Sequence, residues 1–211
     1  MDFQAFIFDL DGTLIDSLPD LTIAANELRG ELGLPPVSAG RVRTCIGDGS
    51  RLLLQRLLPE GLFSETRLAR FLAIYRQHLT DSTLPFDGVP ELLVRLQPRP
   101  LAVVTNKPDR MAHEILQRLD LARHFRIIVG GDSFPEKKPH PRPIHEVLRV
   151  LDIPPERTLM IGDHHTDLRA AKAAGIKSCF CGWGYGHEDG ETPDLRAASV
   201  AELADLMGVG P

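Results

Sequence analysis

A doubly wound parallel α/β sheet with an all-helical insertion after its first strand is the fold class that the sequence predicts. Short, nearly continuous apolar runs recur along the chain, and each ends in Asp, Thr-Asn or Gly. Between them lie stretches with apolar residues at i, i+3, i+4 and i+7, the signature of amphipathic helices. From residue 16 to residue 85 only the helical pattern occurs.

The runs fall at 5–10, 101–105, 126–129, 158–161 and 178–181. Because they lack in/out alternation, they predict strands covered on both faces, as parallel strands are. Helical stripes connect them, such as Val89, Leu92, Leu93 and Leu96, or Ile144, Val147, Leu148 and Leu151. This βαβ rhythm places ligands outside the carboxyl ends of the strands. In the inserted segment, Leu21, Ala24, Ala25, Leu28 and Leu32 form one stripe, and Leu68, Phe71, Leu72, Tyr75 and Leu79 another. Residues 1–15 and 86–211 are thus expected to build the core, and residues 16–85 a helical cap. Pro35-Pro36 and Leu84-Pro85-Phe86-Asp87-Gly88 mark breaks, the second a hinge on the return to the core.

Composition narrows the function. With 25% charged and 43% hydrophobic residues, the 211-residue chain can bury a core, so disorder is excluded. A net charge of -5 gives no general field for nucleic acid or an anionic membrane. Cys45, Cys179 and Cys181 show no repeated spacing, which argues against a disulfide framework or a four-cysteine zinc site and fits a reducing, cytoplasmic location. Met1-Asp2-Phe3 lacks the basic start of a signal peptide, and no apolar run is long enough to span a bilayer.

The densest chemical signal is Phe8-Asp9-Leu10-Asp11-Gly12-Thr13-Leu14, directly after the first strand. In an extended segment residues i and i+2 point the same way, so Asp9 and Asp11 project together. Two like charges so close need a cation such as Mg²⁺, or one of them protonated as a general acid. Gly12 permits close approach to a phosphate and Thr13 supplies a hydroxyl. The plainer reading is an Asp-Gly turn closing a strand.

The segment from Asp9 to Ser17 resembles the opening motif of the haloacid dehalogenase superfamily, Asp-x-Asp-Gly-Thr-Leu-x-Asp-Ser. Three later segments are similar to that family's remaining motifs. Val103-Val104-Thr105-Asn106-Lys107 matches its second, although Thr105 alone also suits a helix N-cap. In Lys137-Lys138-Pro139-His140-Pro141, Lys138 holds the place of the family lysine; a basic loop or a Pro-rich recognition segment is the plainer alternative. Gly162-Asp163-His164-His165-Thr166-Asp167 resembles the fourth motif, and Asp163 alone could simply cap a helix. Here a histidine replaces the small residue usual after Gly-Asp. The His164-His165 pair raises a transition metal, yet the remaining ligands are all oxygen, so both histidines are expected to face solvent or support the site from behind.

The resemblance implies a Mg²⁺-dependent phosphatase. Asp9 would be the nucleophile and Asp11 the acid and base. Gly12, Thr105, Asn106 and Lys138 would hold the phosphate. The metal would be held by Asp9, the main-chain carbonyl of Asp11 and Asp163, while Asp167 would ligate it through water or orient Lys138. The loop Thr44-Cys45-Ile46-Gly47-Asp48-Gly49-Ser50-Arg51 is similar to the substrate-facing loop of the family's phosphoglycolate phosphatases, with Arg51 a candidate for a substrate carboxylate. The implied partner is a small phosphorylated metabolite, 2-phosphoglycolate first, acted on by a monomer or weak homodimer. A sugar-phosphate mutase and a non-catalytic metabolite-binding regulator remain open. Gly182-Trp183-Gly184-Tyr185-Gly186 reads as a loop at the rim, and Cys179 and Cys181 as core residues.

Overall fold

The computed structural model describes residues 3–210, so Met1 and Asp2, part of the start read above, lie outside the described residues. Strand β1 (Ala5–Phe8) opens the chain and is followed by the two-residue strand β2 (Ile15–Asp16). Helices α1 (Leu18–Glu31), α2 (Ala39–Arg43), α3 (Ser50–Leu57) and α4 (Glu65–Gln77) come next, then β3 (Leu84–Pro85). Helices α5 (Val89–Leu96), α6 (Asp109–Arg118), α7 (Arg142–Leu151), α8 (His165–Ala174) and α9 (Val200–Leu206) then alternate with strands. Those strands are β4 (Leu101–Val104), β5 (Ile127–Val129), β6 (Thr158–Gly162), β7 (Lys177–Cys181) and β8 (Leu195–Ala197).

The main sheet runs β5-β4-β1-β6-β7-β8, and every neighbouring pair is parallel. Strand order reverses on either side of β1, so the crevice at its carboxyl end is where such sheets take ligands. Burial follows from the near-continuous apolar runs. Phe6 and Phe8 enter one apolar cluster with α5, α6 and α9, while Ile7 between them joins Ile144, Val147 and Ala171 of α7 and α8 on the opposite face. Each such fully buried aliphatic side chain stabilises the fold by about 1.5–3 kcal/mol. Cys179 and Cys181 are buried in the first cluster, as their i, i+2 spacing on a strand demands.

Strand β8 was not among the five runs, because it is a short edge whose central Arg196 is exposed and breaks the apolar pattern. The two ends of the helical segment are joined by the antiparallel β2–β3 pair. Asp20, fully buried on α1, reinforces that junction by accepting from Ser82 N and from both the main-chain N–H and the hydroxyl of Thr83. α1 packs on α4, and the apolar cluster continues from Phe8 and Leu10 of the sheet to Leu28, Leu54 and Phe71 of the helices. No helix among the described residues is long and apolar enough to cross a membrane.

Candidate active site

The polar residues that end the central strands β4, β1 and β6, with the loop after β5, meet at the carboxyl end of the sheet. Asp9 extends β1, its N–H donating to Ile161 O at 2.9 Å, so its carboxylate is presented at the strand's end. Asp163 directly follows β6, next in the sheet. Oxygens of Asp9, Asp163 and Asp167 lie within 4.8 Å of one another, and all three side chains are buried. Lys138, only 2% exposed, puts Nζ 2.8 Å from Asp9 Oδ1 and 2.6 Å from Asp167 Oδ1. The approach to Asp9 Oδ1 is off the direction of a hydrogen bond, which leaves that buried oxygen without a well-aligned donor.

Three carboxylates against one ammonium leave uncompensated negative charge in a dry site. Burial pushes the Asp163 carboxyl up to about 7, with Asp9 and Asp167 adding to the effect. It pushes Asp9 up to about 6 against the pull of Lys138. For Lys138 burial works the other way, but Asp167 and Asp9 outweigh it and hold the pKa above the usual lysine range. An all-oxygen donor set with an oxygen lacking an aligned donor and excess charge fits a hard divalent cation such as Mg²⁺.

Without metal, Asp163→Asn should be more stable than wild type at pH 8 by about 2–4 kcal/mol. A carboxyl whose folded pKa is raised is most costly above that pKa and costs nothing below its unfolded value. The advantage of the variant should therefore shrink as the pH falls from about 7 toward 3.8. Mg²⁺ should raise the melting temperature of the wild type and not that of the variant. Thermal melts of metal-stripped protein across this pH range check both points, and a variant that melts no higher at pH 8 contradicts the charge balance.

Glycines and the loop after β7 shape this centre. Gly12 has φ of +86°, and a Cβ there would collide with the Asp163 carboxylate. Gly162 and Gly184 meet Asp167 and Asp163 as closely. Asp163 Oδ2 accepts from Tyr185 N at 2.7 Å and Gly186 N at 3.0 Å, and Oδ1 from the Thr13 hydroxyl at 3.2 Å. Trp183 Nε1 donates to Thr13 O, and the Tyr185 hydroxyl lies 2.6 Å from Asp16 Oδ1. The Gly-Trp-Gly-Tyr-Gly segment thus holds the aspartate and joins it to the base of the helical segment.

Asp11 faces differently. Its carboxylate accepts from Ser17 Oγ at 2.5 Å and from Lys107 Nζ at 2.9 Å, and is not part of the carboxylate trio. Lys107 also donates to the Tyr75 hydroxyl of α4 at 2.7 Å. Burial opposes the charge on Lys107, yet Asp11 and Tyr75 outweigh it and hold its pKa above normal. Lys107 and Tyr75 were missed as site residues in the sequence. Lys107 stood in the quoted motif as a neighbour of Asn106, and Tyr75 was one of a core stripe, which gives no sign that its hydroxyl reaches an ammonium across the crevice.

Above these groups lies a cavity with about 50 Å³ of room for the centres of water-sized groups. Asp9, Asp11, Thr105, Asn106 and Lys107 form its polar floor; Leu21, Leu53, Phe71 and Leu72 wall it from the helical side, with Gly49 and Ser50 at the start of α3. Asn106 Nδ2 donates to Gly47 O at 2.9 Å and to Lys138 O at 3.0 Å, tying the helical segment to the core.

Several expectations change. Arg51 does not line the cavity: it is exposed, pairs with Glu65 and lies over the Phe63 ring, because the helix that begins at Ser50 turns position 51 outward. Asp167 is held by Lys138 on one oxygen and by His164 N on the other, at 3.1 Å. The cap of α8 is His164, not Asp163, with Asp167 reciprocating in a capping box. His164 is 5% exposed and so does not face solvent. Burial pushes its pKa down to about 4.

The sequence model of the family described as "Haloacid dehalogenase-like hydrolase" matches residues 6–181. A phosphoglycolate phosphatase of Chromobacterium violaceum is 41% identical, covering 98% of this chain and 97% of its own. One from Neisseria meningitidis is 39% identical, covering 97% and 93%. Among solved structures, a predicted phosphoglycolate phosphatase from Haemophilus somnus superposes with a TM-score of 0.90 at 31% identity, over 98% of each chain.

Proposed function

The chain belongs to the haloacid dehalogenase-like hydrolase family, and from that premise we propose that it is a Mg²⁺-dependent phosphomonoesterase that hydrolyses 2-phosphoglycolate through an aspartyl phosphate on Asp9. One observation supports the reading above others: the small cavity has Asp9 and Asp11 on its floor and the carboxylate trio beside it.

Asp9 attacks phosphorus, forming the Oδ–P bond as the ester P–O bond breaks. Asp11 gives a proton to the departing glycolate oxygen, then takes one from the water that cleaves the acyl phosphate, restoring Asp9 and releasing phosphate. Mg²⁺, held by Asp9, Asp163 and the Asp11 carbonyl, would neutralise phosphate oxygens and favour ionised Asp9. The Thr105 hydroxyl, the Asn106 N–H and Lys138 offset charge on the transferring group, while Gly12, whose N–H donates to Ile15 O, lets the chain pass close to it. Asp167 serves by orienting Lys138.

The substrate carboxylate has two cationic features to meet. Lys107 stands on the floor, and the first turn of α3 brings N–H groups that a helix leaves without internal partners. The wall of Leu21, Leu53, Phe71 and Leu72 offers no side-chain partners for the hydroxyls of a hexose, which disfavours the mutase reading. Residues 16–85 act as a lid over a core of residues 1–15 and 86–211, with the β2–β3 pair as its hinge. The cysteines are free and buried, in keeping with a cytoplasmic enzyme, monomeric or weakly dimeric.

With Mg²⁺ present, kcat/KM for 2-phosphoglycolate should exceed that for ethyl phosphate, which lacks the carboxylate, by about 100-fold or more. Equal values would remove carboxylate recognition, and isomerised sugar phosphate without free phosphate would replace the hydrolase by a mutase. Lys107→Met should lower kcat/KM for 2-phosphoglycolate by about 100-fold, because it strands Asp11 and the Tyr75 hydroxyl and removes the floor's cation. Steady-state phosphate release measures it, and a variant within twofold of wild type would leave Lys107 without this role.

A further inference from the structure

We propose that His164, His165 and Asp48 form a second cation site, for a borderline divalent metal of the Zn²⁺ or Co²⁺ class, across the seam between the sheet and the helical segment. One ligand atom from each residue lies within 4.8 Å of the others. His164 and His165 begin α8 on the sheet side, while Asp48 sits in the loop between α2 and α3. An ion there would join the two parts of the molecule directly.

Three local features favour a ligand. His164 Nδ1 is engaged by Thr166, with the hydroxyl at 3.1 Å and the N–H at 3.4 Å. Metal binding takes the tautomer in which Nδ1–H donates to the Thr166 hydroxyl, giving up the longer contact from the Thr166 N–H, and this leaves Nε2 as the coordinating atom, as such outer donations do for metal-bound imidazoles. His165 has a buried Nδ1 with no hydrogen-bond partner among the described residues, and its Nε2 stands 3.9 Å from Asp48 Oδ1, beyond hydrogen-bond range. Asp48 directs Oδ2 to Arg56 at 2.6 Å and its main-chain oxygen to Lys137 Nζ at 2.6 Å, so Oδ1 remains for the cation.

The rings of His164 and His165 are 4.0 Å apart at their centroids, and the His187 ring lies 5.8 and 5.6 Å from them, a further imidazole at the rim. Gly47 lets the loop rest on His164, since a Cβ there would collide with the imidazole. Tetrahedral zinc ligands stand about 3.3 Å apart for metal–ligand bonds near 2.0 Å, so small side-chain rotations close the set. Two nitrogens and one oxygen select a softer ion than the carboxylate trio, which gives the two sites different preferences.

The test is a Co²⁺ titration of metal-stripped, full-length protein kept in large excess of Mg²⁺, followed by the visible d–d bands of the bound ion. Wild type should take up one equivalent that Mg²⁺ does not displace, with the spectrum of an imidazole-ligated ion of low coordination number. Asp163→Asn should retain that uptake, whereas His165→Ala and Asp48→Asn should each weaken it at least about tenfold. Complete displacement by Mg²⁺, loss of the bands in Asp163→Asn, or unchanged affinity in either His165→Ala or Asp48→Asn would overturn the site. None of these outcomes depends on which phosphate ester is hydrolysed.

Discussion

Asp9→Asn should lower kcat for phosphate release by at least about 10⁴-fold while leaving a folded protein. The amide has nearly the same shape as the carboxylate but cannot serve as the oxygen nucleophile. Its effect on stability should be opposite in sign to its effect on activity. Asp9 is buried at the centre of a like-charged trio, with its carboxyl pushed up to about 6 by desolvation. In metal-free protein at pH 8, removing that charge should raise the melting temperature, and the gain should fade as the pH drops from about 6 to below 3.8, where the wild-type carboxyl becomes protonated in both states. Steady-state phosphate release and thermal melts on one preparation report both effects. A variant retaining a tenth of wild-type kcat would require another nucleophile.

Lys138→Ala should damage both properties. Its Nζ is the sole ammonium within ion-pair distance of Asp9 and Asp167 among the described residues, and all three side chains are buried. Breaking a buried ionic cluster by removing one partner costs about 3–5 kcal/mol. The same loss should reduce kcat/KM by at least about 10³-fold, since the lysine also offsets phosphate charge. Lys138→Arg should not rescue activity, because a planar guanidinium cannot occupy the point between two carboxylates that Nζ fills at 2.8 and 2.6 Å. Adding Asp167→Asn to Lys138→Ala should recover much of the stability but none of the activity. Urea denaturation with kinetics on the single and double variants separates the two roles. Near-wild-type turnover in Lys138→Ala would dismiss the catalytic role.

The sheet was legible because buried parallel strands leave apolar runs, and because each ends in Asp, Thr-Asn or Gly where the chain leaves the core. Asp9, Thr105 and Asp163 could be placed at such ends before any coordinates. β8 was not, since an edge strand with Arg196 exposed carries no such run. Arg51 was misplaced for a related reason: loop similarity says which segment approaches a ligand, while the direction of one side chain depends on where the helix begins. The contribution of Tyr185 and Gly186 was invisible because it is made by main-chain N–H groups, which every sequence has.

Five of the parallel strands, the helices between them and the family could be read from periodicity and short local motifs, whereas the two-residue strands β2 and β3 at the ends of the helical segment are too short to leave a pattern. It took the packed chain to show that Asp11 pairs with Lys107, that Tyr75 reaches the same ammonium, and that His164 and His165 turn toward Asp48. Contacts between residues about 30 to 120 positions apart depend on which strand ends, loops and helices packing brings together, and local pattern holds no information about that.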